Sequence, residues 1–276
     1  YCIVPYTRGK ERSRKEEDIL NEVKCLKEEG YKQVTLLGQN VDAYGKDFQD
    51  NYAFAGLLEK VAETGIERIR FTTPYPSDFN PEVFKVMARH KNIMPSIHMP
   101  LQSGSNTVLR RMNRRYTREQ YLEIIRQLRE SNPDILITTD IIVGFPGETQ
   151  EDFEQTLSLI EEVGYDALFT FIFSPRRGTP AEKLDDPMPK EQKSANFQRL
   201  VQRQNEISAQ KHAAYVGRTL RCLVDGVGHD GKLSARTAGG RLVHLDGPEE
   251  VIGTYRAVRI TGSSTWALFG DLADEG

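Results

Sequence analysis

Two periods of hydrophobic residues alternate along most of the chain. Apolar side chains that recur every three or four positions predict amphipathic helices at 15–29, 53–63, 81–89, 117–130 and 151–162. Short runs rich in β-branched and aromatic residues predict strands between them, at 33–37, 66–73, 96–101, 135–143 and 167–173. This alternation predicts an α/β unit with a parallel sheet, closed as an open or partial (β/α) barrel. The loops after the strands are then the candidate site, because the chemistry of such barrels lies at the carboxyl ends of the strands.

The pattern changes in the last third of the chain. Residues 189–215 predict one long helix that Gly217 ends. One stripe of this helix holds Phe197, Leu200, Val201, Gln204, Ile207 and Lys211. Short alternating runs separated by glycines follow, with a hairpin turn at 228–231, and they predict a small antiparallel β-barrel. We therefore expect two domains, residues 1–215 and 216–276.

Composition and net charge limit the class of protein but do not identify a binding partner. The formal net charge of -3 gives no global sign of nucleic-acid binding, so local clusters of basic residues matter instead. Three cysteines form neither a disulfide framework nor a complete zinc site, and we expect Cys25 and Cys222 to pack in the core. We find no apolar run long enough to span a bilayer and no signal segment. We expect a cytoplasmic protein whose beginning is missing, because the chain starts at Tyr1 without a Met.

The opening string YCIVPYTRG, residues 1–9, resembles the end of the CxxxCxxC loop of radical-SAM methylthiotransferases. The resemblance makes Cys2 the third cysteine of that loop and puts the first two upstream. In this family three thiolates hold a 4Fe-4S cluster whose open iron binds S-adenosylmethionine. Without its neighbours, Cys2 would be read as an ordinary thiol.

Three loops after predicted strands carry further residues of the resemblance. The string GQNVDAYG, residues 38–45, is similar to the MiaB-type branch, which modifies adenosine, and it implies that Gln39 and Asn40 contact the cofactor through their amides. Alone, this string would be an ordinary turn. The string LQSGSN, residues 101–106, offers Gln102 and Ser103 to a ribose, although a polar helix cap at one of its two serines stays open.

The string DIIVGFPGET, residues 140–149, is the strongest internal signal. In radical-SAM enzymes such a loop lies against the adenine of the cofactor, which implies cofactor contacts for Asp140, Gly144 and Gly147. Glycines permit both the turn and a close approach of the backbone. No catalytic residue is assigned.

Arginines cluster beside these loops. Arg110, Arg111, Arg114 and Arg115 lie within a few positions, with Arg118 just beyond. Arg176 and Arg177 follow the last predicted barrel strand. They predict a phosphate-binding patch for RNA, with a solvated helix face as the open alternative.

The tail resembles the TRAM domain, a small RNA-binding β-barrel. Residues 216–276 hold seven Lys or Arg and eight Asp or Glu, so any RNA surface must be one face of it. This domain docks a ribosomal protein in one sibling family, so it does not by itself prove an RNA substrate.

Together the resemblance implies a MiaB-type tRNA methylthiotransferase that converts N6-isopentenyladenosine beside the anticodon to its 2-methylthio derivative. It implies two 4Fe-4S clusters in the full-length protein, one of whose ligands remains here, and S-adenosylmethionine. The implied partners are the tRNA anticodon stem-loop and an electron donor such as a flavodoxin or ferredoxin, with no membrane. We expect this chain alone to be inactive.

Two alternatives stay open. A sibling methylthiotransferase acts on threonylcarbamoyl-adenosine in tRNA or on a ribosomal protein aspartate. A non-catalytic RNA-binding module is the alternative from another class.

Overall fold

The computed structural model describes residues 1–9, 11–48, 53–72, 74–228 and 231–273. The helices are α1 (Val4–Arg8), α2 (Glu16–Glu28), α3 (Phe54–Glu63), α4 (Glu82–Arg89), α5 (Asn106–Arg111), α6 (Arg118–Ser131), α7 (Gln150–Val163) and α8 (Lys190–Ala213). The strands are β1 (Gln33–Leu36), β2 (Arg68–Phe71), β3 (Ser96–His98), β4 (Leu136–Val143), β5 (Ala167–Ile172), β6 (Thr219–Val227), β7 (Leu233–Thr237), β8 (Leu242–Asp246), β9 (Tyr255–Ser263) and β10 (Leu268–Leu272). Each barrel helix and strand that hydrophobic periodicity predicted is present. Residue 73 of one expected strand and residues 229–230 of the expected hairpin turn lie outside the described residues.

Strands β1 to β5 form the expected open (β/α) barrel. β1 pairs with β2, and β3, β4 and β5 form a second sheet, with all pairs parallel. A parallel bridge between Ile69 and Ile93 joins the two sheets into one arc. Ile137, Ile141 and Val143 of β4 face the helices in one large hydrophobic core. The prediction of a partial α/β barrel is therefore confirmed.

The opposite face of β3, β4 and β5 is partly open and lines the hollow of the arc. We call this face the inner wall, and it consists of His98, Thr138, Asp140, Ile142, Phe169 and Phe171. Parallel register places His98 beside Thr138, Asp140 beside Phe169 and Ile142 beside Phe171. The strand alternation therefore separates a packed outer face from this inner wall.

Strands β6 to β10 form a closed barrel with a hydrophobic core of its own. Its strand order is β10, β8, β7, β6 and β9. All pairs are antiparallel except β8 with β10, which is parallel. The prediction of a small barrel is confirmed, but five strands cannot alternate in direction all the way around a closed ring. One parallel pair is therefore unavoidable.

The turn between β7 and β8 closes the amino-terminal end of the larger barrel, and we call this junction the floor. The Arg68 guanidinium, at the start of β2, donates hydrogen bonds to the carbonyls of Thr237 and Ala238. A Cβ added to Gly239 would lie 2.1 Å from Cδ1 of Leu136, the first residue of β4. The small barrel thus plugs the end of the hollow that lies opposite the loops of the candidate site.

Buried charges hold the floor together. Asp166, just before β5, forms an ion pair with Arg241 and a second one with Lys211 at 3.1 Å. Its other carboxylate oxygen accepts a hydrogen bond from the backbone N–H of Ile137 at 2.7 Å. The Arg241 guanidinium also stacks 4.8 Å from the ring centroid of Tyr215. These contacts join both barrels and the end of α8.

Candidate functional site

The loops at the carboxyl ends of the barrel strands form a rim, and the amino-terminal residue is fixed to it. The Tyr1 hydroxyl donates a hydrogen bond to Oε1 of Gln102 at 2.7 Å and accepts one from the Arg114 guanidinium. Arg114 stacks between Tyr1 and Tyr75, at 5.4 Å from each ring centroid. Burial raises the pKa of Tyr1, and Arg114 opposes that shift. The exposed Cys2 therefore follows a residue that is fixed at the rim.

Gln102 and Ser103 have different surroundings. Gln102 is buried, has a φ of +73°, and extends the sheet through a parallel bridge to Ile141. A positive φ in a non-glycine residue is a strained conformation that is typical of functional sites. The Ser103 hydroxyl lies 3.3 Å from Oγ1 of Thr156 and is fully buried. Ser103 therefore stabilises the loop, and Ser105 caps α5.

Asn40 and Asp42 lie at the end of β1. Nδ2 of Asn40 donates to Asp78 at 2.8 Å, while its Oδ1 is buried and has no hydrogen-bond partner among the described residues. Asp42 accepts a hydrogen bond from the backbone N–H of Tyr75, and burial raises its pKa to about 7. An unpartnered buried acceptor suits an ammonium or amide donor of a ligand. Gln39 is exposed at the same loop.

The GFPGE loop is held by the protein's own side chains. Gly144 and Gly147 have φ values of +71° and +78°, so both need the freedom of glycine. The Gly144 N–H donates to Glu148 at 2.6 Å, and burial raises the pKa of Glu148 to about 7. A Cβ at Gly147 would lie 1.4 Å from Nη1 of Arg111. The loop is thus a crowded turn at the rim.

Asp140 belongs to the inner wall below the rim. Its Oδ2 lies 3.4 Å from Nε2 of His98, whose ring meets the Phe169 ring edge-on at 5.5 Å. Phe169 and Phe171 are 55% and 53% exposed, respectively. Sequence reasoning missed His98 and both phenylalanines, because β5 is apolar on both faces and its spacing does not reveal which face is open.

The arginine run is divided by the structure. Arg110, Arg111 and Arg115 are exposed, as are Arg176 and Arg177 after β5. Arg114 instead points into the rim between two tyrosines. Arg114 therefore has protein partners on both sides, whereas its neighbouring arginines face solvent.

The three cysteines belong to different elements, since Cys2 precedes α1, Cys25 lies in α2 and Cys222 lies in β6. The prediction that Cys25 packs in the core is wrong, because α2 buries only Val23 and leaves Cys25 exposed. Cys222 is buried as expected, and burial raises its pKa to about 12. No group of three or more metal-binding side chains is present among the described residues. Cys2 alone supplies one thiolate, which is fewer than a 4Fe-4S cluster needs.

A cavity of about 1160 Å³ adjoins the rim beside β1. Gln39 and Asn40 line it, together with Arg8, Arg14 and Tyr44. Helices in the described parts of the chain are all too short or too polar to cross a membrane.

Comparison with protein families gives two matches. Residues 1–160 match the Radical SAM superfamily, and residues 213–273 match the TRAM domain.

Curated relatives align with all of this chain. It is 50% identical to a tRNA-2-methylthio-N(6)-dimethylallyladenosine synthase of Geobacillus thermodenitrificans over 278 aligned positions. The alignment covers 100% of this chain and 53% of that relative. The protein of the same name from Bacillus subtilis is 49% identical, with 100% and 55% covered. The chain thus spans about half the length of the curated relatives it matches.

Solved structures agree on the fold. Coproporphyrinogen III oxidase (HemN) from Escherichia coli has a TM-score of 0.51 and 14% identity, with 88% of this chain and 60% of that chain covered. Methylornithine synthase (PylB) has a TM-score of 0.50 and 20% identity, with 74% and 58% covered.

Proposed function

Because the chain belongs to the radical SAM superfamily, we propose that it acts in the methylthiolation of N6-dimethylallyladenosine in tRNA. The observation that carries this proposal is the 50% identity, over the whole chain, to a relative named for that reaction. The TRAM match supports an RNA substrate, and we take the anticodon stem-loop as the part that binds. We also propose that the protein acts in the cytoplasm, and that the functional division lies between residues 215 and 216.

Membership in the superfamily implies a 4Fe-4S cluster and S-adenosylmethionine. When bound, they supply a radical that can remove hydrogen from an unactivated carbon. We propose that the whole protein has two clusters, that Cys2 is a ligand of one, and that a flavodoxin or ferredoxin donates the electron. The hydrogen bond from Tyr1 to Gln102 supports the proposal for Cys2, because it fixes the adjacent backbone at the rim.

The rim residues can bind and orient the cofactor. We propose that Asn40 accepts a hydrogen bond from the ammonium group of S-adenosylmethionine, since its Oδ1 is buried and lacks a partner among the described residues. Gln39, Gln102 and the turn at Gly144 and Gly147 lie at the same end of the strands. Ser103 acts through the loop that it stabilises, because its hydroxyl already contacts Thr156.

Nucleoside analysis of tRNA tests this function. Cells that lack the gene should lose 2-methylthio-N6-dimethylallyladenosine and accumulate N6-dimethylallyladenosine. Reintroduced Cys2→Ala should leave the defect in place, because one cluster ligand is gone, while Cys25→Ala should restore the product. An unchanged level of the 2-methylthio nucleoside in the deletion strain would refute the proposal.

A further inference from the structure

Two phenylalanines on the inner wall are unusually open for their place in a barrel. Phe169 and Phe171 are about half exposed and lie on β5, the edge strand of the three-stranded sheet. Single exposed apolar residues are ordinary on convex surfaces, but adjacent aromatic residues inside a hollow are typical of binding sites. Their neighbour Ile172 is 38% exposed and faces the other side of β5.

Polar groups of the inner wall are placed around these rings. Register sets Asp140 beside Phe169 and Ile142 beside Phe171. His98 is held by Thr138 at 3.0 Å and presents its ring edge to Phe169. The Asp140 carboxylate, 28% exposed, therefore lies beside an aromatic surface as a hydrogen-bond acceptor. An apolar aromatic surface with one acceptor suits a flat base that has an N–H donor.

The inner wall lies deeper in the hollow of the barrel than the rim does. Strand β4 ends at Val143, and Asp140 lies three residues before that end. At the rise of a parallel strand, Asp140 is about 10 Å below the end of β4. The floor closes the hollow below, where Leu136 meets Gly239. A ligand on the inner wall would thus sit under one held by the rim, and reacting groups must be adjacent.

β2 contributes a cation to the same hollow. Arg70 is exposed and pairs in register with Thr35, while its neighbours Ile69 and Phe71 are buried in the helix-facing core. Arg70 therefore lies on the hollow side of β2, across from the phenylalanines. A guanidinium there is suited to a phosphate of the same nucleotide.

Resting on the proposed function, we propose that the inner wall binds the target adenine of the tRNA. Phe169 and Phe171 contact the base and its apolar N6 substituent, Asp140 accepts a hydrogen bond from N6–H, and Arg70 contacts a flanking phosphate. The base must leave its stack to enter, as other base-modifying enzymes require.

The adenine of S-adenosylmethionine shares this chemistry, so the test must separate the two sources. The 276-residue chain would be titrated with N6-dimethylallyladenosine, adenosine and S-adenosylhomocysteine. It would also be titrated with anticodon stem-loop RNAs that have N6-dimethylallyladenosine, threonylcarbamoyl-adenosine or unmodified adenosine at the target position. The variants are Phe169→Ala and Phe171→Ala, with Phe169→Tyr to retain stacking and Ile172→Ala as the matched control from the opposite face.

The wild-type chain should prefer the dimethylallyl form over adenosine, both as nucleoside and in RNA. Each Phe→Ala change should weaken binding of that form about five-fold or more, as the loss of a stacking contact does. Phe169→Tyr and Ile172→Ala should bind as wild type, and S-adenosylhomocysteine affinity should not change. This pattern would support the inner wall as the substrate site.

Several results would overturn the inference. The inner wall is not the site if both Phe→Ala variants keep the wild-type preference, or if the wild-type chain shows none. An equal loss of S-adenosylhomocysteine binding would assign the phenylalanines to the cofactor. A preference for the threonylcarbamoyl RNA would contradict both the inference and the proposed function. If no RNA binds but the nucleoside preference depends on Phe169, the inner wall remains a nucleoside site, and both the tRNA part of the inference and the RNA substrate of the proposed function are refuted.

Discussion

The floor and the rim close opposite ends of one hollow by different means. At the floor, Asp166 has two cationic partners and a backbone donor, and Arg68 is bonded to two carbonyls. At the rim, Gln102 has a strained backbone, and the buried carboxyls of Asp42 and Glu148 have raised pKa values. Burial also lowers the pKa values of Arg68 and Lys211 at the floor, so the strained backbone of Gln102 is the feature that separates the two ends. The small barrel therefore stabilises the large barrel at the floor, which is the end opposite the candidate site at the rim.

The largest effect is expected at the floor. Asp166→Ala would leave Arg241 and Lys211 without their shared counter-ion and the N–H of Ile137 without an acceptor. Removing one partner of a buried ion pair costs about 3–5 kcal/mol of unfolding free energy. Urea unfolding measures this loss.

An exposed ion pair of the small barrel gives the control. Arg236→Ala removes the pair with Asp225, whose side chains are 42% and 36% exposed, and should cost less than about 1 kcal/mol. Equal losses in the two variants would show that the floor does not fasten the barrels together.

A smaller, pH-dependent effect is expected at the rim. Burial raises the pKa of Glu148 from 4.5 to about 7, so the folded chain binds this proton more tightly than the unfolded chain does. The contribution of Glu148 to the unfolding free energy therefore falls by at most about 3.4 kcal/mol as pH rises from about 4.5 to about 7, and it changes no further above that. Glu148→Gln should remove this part of the decline.

Urea unfolding between about pH 4 and pH 8 measures the slope. Asp42→Asn is the parallel variant, because burial raises the pKa of Asp42 to about 7 as well and the two carboxyls contribute separate parts. A Glu148→Gln chain with the wild-type pH profile would mean that the folded protein does not hold that proton.

The smallest effect concerns the exposed arginines of the rim. Replacing Arg110 and Arg115 with Ala should leave stability unchanged and lower the salt dependence of stem-loop binding by about 0.7–0.9 per lost phosphate contact. Fluorescence anisotropy at several salt concentrations measures the slope. The control is Arg126→Ala, because Arg126 is paired with Glu123 and Glu130 on α6. If the double variant and the control have the same slope, the run is only a solvated helix face.

Local patterns predicted most of the fold but not the site's finer arrangement. The spacing of apolar residues revealed the barrel helices because each packs one face on a sheet. It failed for Cys25, since α2 fully buries only Val23 and leaves Cys25 exposed. The sequence did not show that Arg114 points into the rim while the neighbouring arginines are exposed, because its partner Tyr1 is 113 positions away. The sequence did not predict the floor either, since Asp166 and Arg241 are 75 positions apart and no local pattern links them.

The floor also has a consequence for the order of folding. Arg68 and its acceptor Thr237 are separated by 169 positions, so this contact closes a very long loop. Contacts between distant positions form late, and chains emerge from the ribosome amino terminus first. The hollow therefore stays open at its base until the β7–β8 turn has been synthesised. A nascent chain paused before that turn exposes Leu136 and leaves Asp166 without its partner Arg241.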